Sequence, residues 1–146
     1  MSDDVTPTSL LLAVRRAAVG CEAALAEELH AAGLSQEEWR IVSALSGAPG
    51  LTMSDLARAA ACAPPTATRL VERLVSRAWA YRRIDAADRR RVVVHLSARG
   101  RRSTEAVRRT EEAVESRLMN ELGETRYRNL IASLTHLQQG AISPAS

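Results

Sequence analysis

The sequence predicts a mainly α-helical fold that carries one small β-hairpin, and the evidence lies between residues 52 and 97. Apolar residues recur there at three- and four-residue spacing in two successive segments, which is typical of two amphipathic helices. After Trp79 the pattern changes to two short runs of β-branched and aromatic residues, 81–84 and 91–96, with a polar turn between them. Two helices joined by a tight turn and followed by a two-stranded ribbon predict a winged helix-turn-helix.

The second helix of this pair, here called the reading helix, has one apolar and one polar side. Pro64 or Pro65 can begin it, because a proline in the first helical turn sacrifices no hydrogen bond. The residues that recur on its apolar side are Ala67, Leu70, Val71, Leu74 and Ala78. In a helix-turn-helix the first residues of this helix meet base edges and later cations meet phosphates. The predicted DNA contacts of the helix are therefore Pro65, Thr66, Thr68, Arg69, Arg73 and Arg77.

Positive charge is concentrated in the same stretch of the chain. Between residues 64 and 102 there are eleven Arg and three acidic residues, a balance of +8, whereas the whole chain carries +3. This segregation favours double-stranded DNA as the partner. Two of the arginines, Arg89 and Arg90, fall at the tip of the predicted hairpin, where they are expected to enter the minor groove.

These motifs resemble the MarR-type transcriptional regulators. The resemblance rests on Leu56-Ala57, on Ala-Thr-Arg-Leu-Val-Glu-Arg-Leu at 67–74, and on Asp88-Arg-Arg followed by Val92-x-Val-x-Leu-Ser97-x-x-Gly100. The wing of the family usually reads Asp-Pro-x-Asp-Arg-Arg, and Ala86 stands here in place of the proline. The resemblance implies a homodimer held by its first and last helices, a repressor released from an inverted-repeat operator by a small effector, and a role for Asp88 in orienting a wing arginine.

The flanking segments predict one domain with dimerisation helices at both ends. A helix is expected from Ser9 to about Ala32, ended by Gly33, and Leu10-Leu-Leu12 makes its start apolar nearly all round. Such a surface suggests burial against a second chain, and the alternative is an ordinary core helix whose apolar stripe drifts around the axis. The predicted plan over 1–146 is dimerisation helices at 9–33 and 124–140, the winged helix-turn-helix at 35–97 and a long linking helix at 98–122. The polar ends, 1–8 and 140–146, are expected to be disordered.

Three serine and threonine residues are predicted to cap helices. Ser35 and Glu38 have the spacing of a capping box, in which each side chain bonds the other's backbone N–H. Thr52 and Ser97 precede the first helix of the pair and the linking helix.

Other chemistry is not predicted. The sequence has no Gly-rich phosphate loop, no metal-ligand spacing and no Ser/His/Asp set on loops, so neither an enzyme nor a cofactor nor a metal site is expected. Two cysteines, Cys21 and Cys62, make no disulfide framework, and the lack of a signal peptide or apolar span predicts a cytoplasmic protein. Two alternatives stay open: a cysteine-based redox switch on the same scaffold, and a winged-helix module for protein–protein contact.

An effector site is expected between the dimer half and the DNA-binding half. A ligand can switch such a protein only by binding one spacing of the two reading helices better than another. The candidate lining residues are Arg15, Cys21, Trp39, Arg40 and Ser43, with Leu25 and Val107 beside them. An apolar lining with one or two arginines suits a small lipophilic or aromatic anion. The alternative is that these side chains only pack the hinge.

Overall fold

The computed structural model describes residues 9–141, with side chains for 9–139. The expected disordered segment 1–8, and residues 142–146 of the expected disordered segment 140–146, lie outside the described residues. Its contacts divide the described residues into two compact units, with the boundary between Thr110 and Glu111. The first unit contains α1 (Leu10–Ala24), α2 (Ala26–Ala32), α3 (Gln36–Ser46), β1 (Leu51–Thr52), α4 (Met53–Ala59), α5 (Pro64–Ser76), β2 (Ala80–Ile84), β3 (Val92–Leu96) and α6 (Ala98–Ser103). The boundary falls within α7 (Glu105–Leu122), and the second unit continues with α8 (Glu124–His136) and a π-helical turn, Leu137–Ala141. Ala141 thus belongs to a helical turn, although the sequence predicts disorder there.

The predicted fold class is confirmed, with one strand added. β2 and β3 pair antiparallel from Ala80 opposite Leu96 to Ile84 opposite Val92. The two-residue strand β1 pairs with the other edge of β3, so the sheet has the order β1-β3-β2. The sequence predicted only the two-stranded hairpin, because a two-residue strand is too short to show alternation.

The core of the first unit forms beneath α5. Four residues of the predicted apolar stripe, Ala67, Leu70, Val71 and Leu74, are buried. Ala78 is not part of that stripe: it lies after the helix, is exposed, and has a φ of +58°. The N–H of Ala78 donates to the carbonyl of Val75, and the N–H of Trp79 donates to the carbonyl of Leu74. This is the Schellman pattern, which ends a helix at a left-handed residue.

Two predicted helices are interrupted. The first breaks at Leu25, whose N–H bonds the carbonyl of Glu22 at 3.1 Å instead of continuing the α-helical ladder. That carbonyl also accepts a hydrogen bond from the Gln36 side chain at 2.7 Å, and an inserted side chain is a common cause of a helix break. The linking helix breaks at Thr104, where the hydroxyl donates to the Gly100 carbonyl at 2.9 Å.

The predicted caps are confirmed. Ser35 and Glu38 form the complete capping box, and Thr52 accepts from the N–H of Asp55. Ser97 accepts from the N–H of Gly100 at 2.9 Å and donates to the carbonyl of Ala78 at 2.7 Å. A Cβ at Gly100 would collide with the carbonyl oxygen of Trp79, which gives a physical reason for Ser-x-x-Gly after the wing.

Candidate nucleic-acid interface

The front of α5 presents short polar side chains on an uncapped helix end. Ala63 is the N-cap residue and offers no side-chain hydrogen bond, and the next two positions are prolines. A helix N-terminus usually offers several free N–H groups to an anion, but two of them are missing here. Pro65 and Thr68 are exposed, while Thr66 is half-buried. The Thr68 hydroxyl donates to the carbonyl of Pro64 at 3.1 Å, which leaves its oxygen able to accept from a base.

The three predicted arginines of α5 fall into two groups. Arg69 is exposed and makes no ion pair or hydrogen bond with the part of the chain that the structure describes. Arg73 lies with its Nη1 atom 3.7 Å from Oε1 of Glu38. Arg77 donates from Nη1 to the carbonyl of Gly33 at 2.8 Å, and its guanidinium lies 5.2 Å from the ring centroid of Trp79. Arg69 is therefore the arginine of α5 that is available to a ligand without losing a partner.

The wing tip is closed by backbone and side-chain hydrogen bonds. Asp85 accepts from the N–H of Ala87 at 3.0 Å, and Asp88 accepts from the N–H of Arg90 at 3.0 Å. Such turns, in which an aspartate bonds the backbone two residues on, order a loop without proline. Asp88 also lies 4.0 Å from Nε of Arg90, whose side chain is 95% exposed. Arg89, beside it, is exposed as well.

Sequence reasoning counted Arg82 and Arg83 as charge but assigned them no site. Both are exposed on β2, which is an edge strand of the sheet. Arg83 and Arg89 line one open groove at the wing together with Ile84, Asp85 and Ala86. Two consecutive arginines in a predicted strand were the available signal. Successive residues of a strand point to opposite faces, so this pair indicates that both faces of the strand are exposed to solvent.

A second feature that the sequence did not reveal joins α4 to the wing. Asp55 accepts from the hydroxyl of Thr52 at 2.6 Å and lies 3.2 Å from Nη1 of Arg58 and 3.7 Å from Nη2 of Arg91. The hydrogen bond from Thr52, followed by the charges of Arg58 and Arg91, holds the pKa of Asp55 below its usual value against the opposing effect of burial. Arg91, at the turn end of the hairpin just before β3, is thus paired with the first helix of the pair.

The predicted effector residues occupy different environments. Trp39 is buried in the core, as are Leu25 and Val107. Arg15 is exposed on α1, whereas Cys21, Arg40 and Ser43 are half-buried. Nη1 of Arg40 lies 3.8 Å from Oε1 of Glu22, the neighbour of Cys21 in α1. An anion that bound Arg40 would have to compete with Glu22.

The cysteines, the possible metal ligands and the helix lengths of the described residues bear on three other kinds of function. Both cysteines are free and half-buried. No cluster of three or more His, Cys, Asp or Glu side chains that could hold a metal ion occurs among the described residues. Within 9–141, no helix has the length and apolar character needed to cross a membrane.

The sheet, the helix pair and the exposed polar face of α5 define a winged helix-turn-helix of the DNA-binding class. The MarR family model matches residues 32–91 of the chain. No curated protein matches the chain in sequence.

Solved structures share the fold over nearly the whole chain. NadR in complex with 4-hydroxyphenylacetate has a TM-score of 0.85 at 23% identity, covering 96% of this chain and 99% of that one. CouR from Rhodococcus jostii bound to p-coumaroyl-CoA has a TM-score of 0.78 at 19% identity, covering 99% and 95%. A mutant of S. aureus MepR bound to an oligodeoxyribonucleotide has a TM-score of 0.58 at 23% identity, covering 92% and 99%. The chain therefore has the fold of a MarR-family DNA-binding regulator.

Proposed function

We propose that the protein is a homodimeric transcriptional repressor that binds an inverted-repeat operator and is released by a small effector. The observation that carries the proposal is Arg69, which is exposed and unpaired at the front of α5 beside the accepting oxygen of Thr68. A guanidinium with no partner within the described residues can bond O6 and N7 of guanine in the major groove without breaking an internal contact.

In this proposal α5 contacts base edges, and the wing recognises the width of the minor groove. Pro65, Thr66 and Thr68 face base edges together with Arg69, in the manner of a helix-turn-helix. Arg89 and Arg90 enter the minor groove, with Asp88 restraining the position of Arg90. The MepR mutant bound to an oligodeoxyribonucleotide, which shares the fold, supports DNA as the partner.

Exposed apolar residues support the homodimer. Leu10 and Leu11 on α1 are 62% and 81% exposed in the single chain, and Leu130 and Ile131 on α8 are 47% and 49% exposed. Large apolar side chains that remain uncovered on a helix mark an interaction surface. A second copy of the chain would cover them and would set the two reading helices about 34 Å apart, one turn of DNA.

An aromatic carboxylate is the effector class that we propose. Arg40 is its expected charge partner, and Arg15, Cys21, Ser43 and the buried Trp39 are the other proposed lining residues. Two structures of the same fold contain 4-hydroxyphenylacetate, a phenolic carboxylate, and p-coumaroyl-CoA, a phenolic thioester. The ligand would displace Glu22 from Arg40, and salicylate is a suitable first probe because it has the same aromatic carboxylate chemistry.

The proposal can be tested by selecting bound duplexes from random DNA. The expected product is an inverted repeat with half-sites one helical turn apart, and salicylate should then release the selected duplex from the parent but less effectively from Arg40→Ala. Failure to enrich any sequence, with equal affinity for random duplexes, would contradict sequence-specific regulation. Release of DNA that is unchanged in Arg40→Ala would contradict only the effector site.

A further inference from the structure

Glu38 is a buried carboxylate whose two oxygens are in different situations. Its side chain is 4% exposed. Oε2 accepts the N–H of Ser35 at 2.9 Å as part of the capping box. Oε1 is also buried but makes no hydrogen bond with the described residues. A buried charge in this situation is costly unless a cation lies close to it.

The cation that meets this oxygen comes from α5. Arg73 lies one helical turn after Arg69, and its Nη1 atom lies 3.7 Å from Oε1 of Glu38. Its side chain is 55% exposed, so the guanidinium lies at the rim of the contact between α3 and α5 rather than inside it. At 3.7 Å the pair is an ion pair without a direct hydrogen bond.

We propose that Arg73 is a positioning residue that anchors the reading helix to Glu38, and that it is not one of the phosphate contacts. The inference rests on the proposed DNA binding by α5. An arginine that turned to a phosphate would leave the buried Glu38 carboxylate without its charge partner, and that loss would offset the gain from the phosphate. Arg73 therefore supports DNA recognition by holding the helix that carries Thr66, Thr68 and Arg69.

The experiment compares the parent with Arg73→Ala, Glu38→Gln and the double variant, and uses Arg89→Ala as the control for a lost cation–DNA contact. Arg89 is exposed and unpaired within the described residues. Two quantities are measured for each protein: the melting temperature, and the slope of log affinity against log salt on the selected duplex. Glutamine keeps an oxygen that can accept from Ser35, so Glu38→Gln removes the charge with little change of shape.

Arg73→Ala should lower the melting temperature by about 5 °C, and adding Glu38→Gln should restore most of that loss because the uncompensated charge is gone. The salt slope should stay at the parental value in both Arg73 variants, whereas Arg89→Ala should reduce it by about one. Affinity for the selected duplex should fall in Arg73→Ala and recover in the double variant. If Arg73→Ala does not fold, a folded double variant with the parental slope supports the anchor equally.

The opposite result is a slope reduced by about one in both Arg73→Ala and the double variant, with no recovery of affinity. That result would make Arg73 a phosphate contact and would overturn the inference. If the parent shows no preference for any duplex, the proposed function fails. In that case the melting temperatures of the parent, Arg73→Ala, Glu38→Gln and the double variant decide the anchor. Additive changes would overturn it as well, while strong coupling between the two substitutions would support the contact between Glu38 and Arg73.

Discussion

The winged helix and the two terminal helices of this chain differ in how completely they bury their own apolar residues. Every buried apolar side chain that the structure describes lies between Leu25 and Val107. α1 and α8 contain no buried residue, although both carry large apolar side chains. The winged helix therefore has a core of its own, whereas large apolar side chains of the terminal helices are exposed in the single chain.

This difference separates two sources of stability. Residues in the core stabilise the reading surface within one chain, at about 1.5–3 kcal/mol for a fully buried large aliphatic side chain. The terminal helices can gain comparable energy per side chain only when another surface covers them. Substitutions in the two regions should consequently affect different measurements.

The largest expected effect is on folding, at the centre of the core. Leu70→Ala empties a fully buried site on α5 and should lower the free energy of unfolding by about 2–5 kcal/mol, because a cavity adds to the lost burial. Urea denaturation measures the change. Leu70→Met, which nearly conserves volume, should cost less than about 1.5 kcal/mol. Equal losses for the two variants would show that the α5 core is not closely packed.

A charged residue on the apolar face of α8 should weaken the association of two chains. Ile131→Glu places a carboxylate on the exposed apolar face and should weaken dimerisation at least tenfold, since an unpaired buried charge is strongly unfavourable. Sedimentation at micromolar concentration measures the effect. Asn129→Glu, on the other side of the same helix and also exposed, is the matched control. A parent that sediments as a single chain, or identical behaviour of the two variants, would refute the proposed interface.

A smaller effect is expected at the link between α4 and the wing. The pKa of Asp55 is lowered in the folded chain, so its stabilising contribution is complete above the unfolded carboxyl pKa and is lost as the pH falls through the lowered value. Asp55→Asn should therefore remove part of the loss of stability below about pH 4. The pKa itself can be followed by NMR, where Thr52→Val should raise it more than Arg91→Ala, because the Thr52 hydrogen bond is the largest cause. The reverse order would contradict the account of this cluster.

The smallest effect concerns a backbone conformation in the helix-turn-helix. Ala61, in the turn between α4 and α5, has a φ of +50°, a left-handed conformation that costs an alanine about 1–2 kcal/mol. Ala61→Gly should raise the free energy of unfolding by up to about 1 kcal/mol, because glycine's greater freedom in the unfolded chain offsets part of the relief. Ala59→Gly, at the last residue of α4, should instead lower it by up to about 1 kcal/mol. Destabilisation by both substitutions would argue against strain at Ala61.

Local features of the fold were predictable from the sequence, and long-range ones were not. The caps at Ser35, Thr52 and Ser97 depend on residues three positions apart, and the stripe of α5 depends on helical periodicity. The break at Leu25 depends on a side chain from Gln36, and β1 is recognised only by its pairing with β3. The residues around Leu25 and those of β1 therefore contain no local sequence pattern that would predict these two features.

In the candidate site, too, local features were predictable from the sequence and long-range contacts were not. Composition and periodicity placed Arg69, Arg73 and Arg77 together on the polar side of one helix. Periodicity could not show that Glu38 and the carbonyl of Gly33 lie beside two of them, because these partners are 35 and 44 residues away in sequence. Contacts of that length are a property of the tertiary structure.

The central claim is that the free arginine of α5 reads bases, and the most direct measurement is the sequence selected by Arg69→Ala. Duplexes selected from random DNA by the parent and by this variant should differ at one symmetric pair of positions, where the variant tolerates other bases. The affinity of the variant for the parental operator should fall by about 1–3 kcal/mol, while its affinity for random duplexes should change less. An unchanged selected sequence with a uniform loss of affinity would make Arg69 a phosphate contact and would contradict the account.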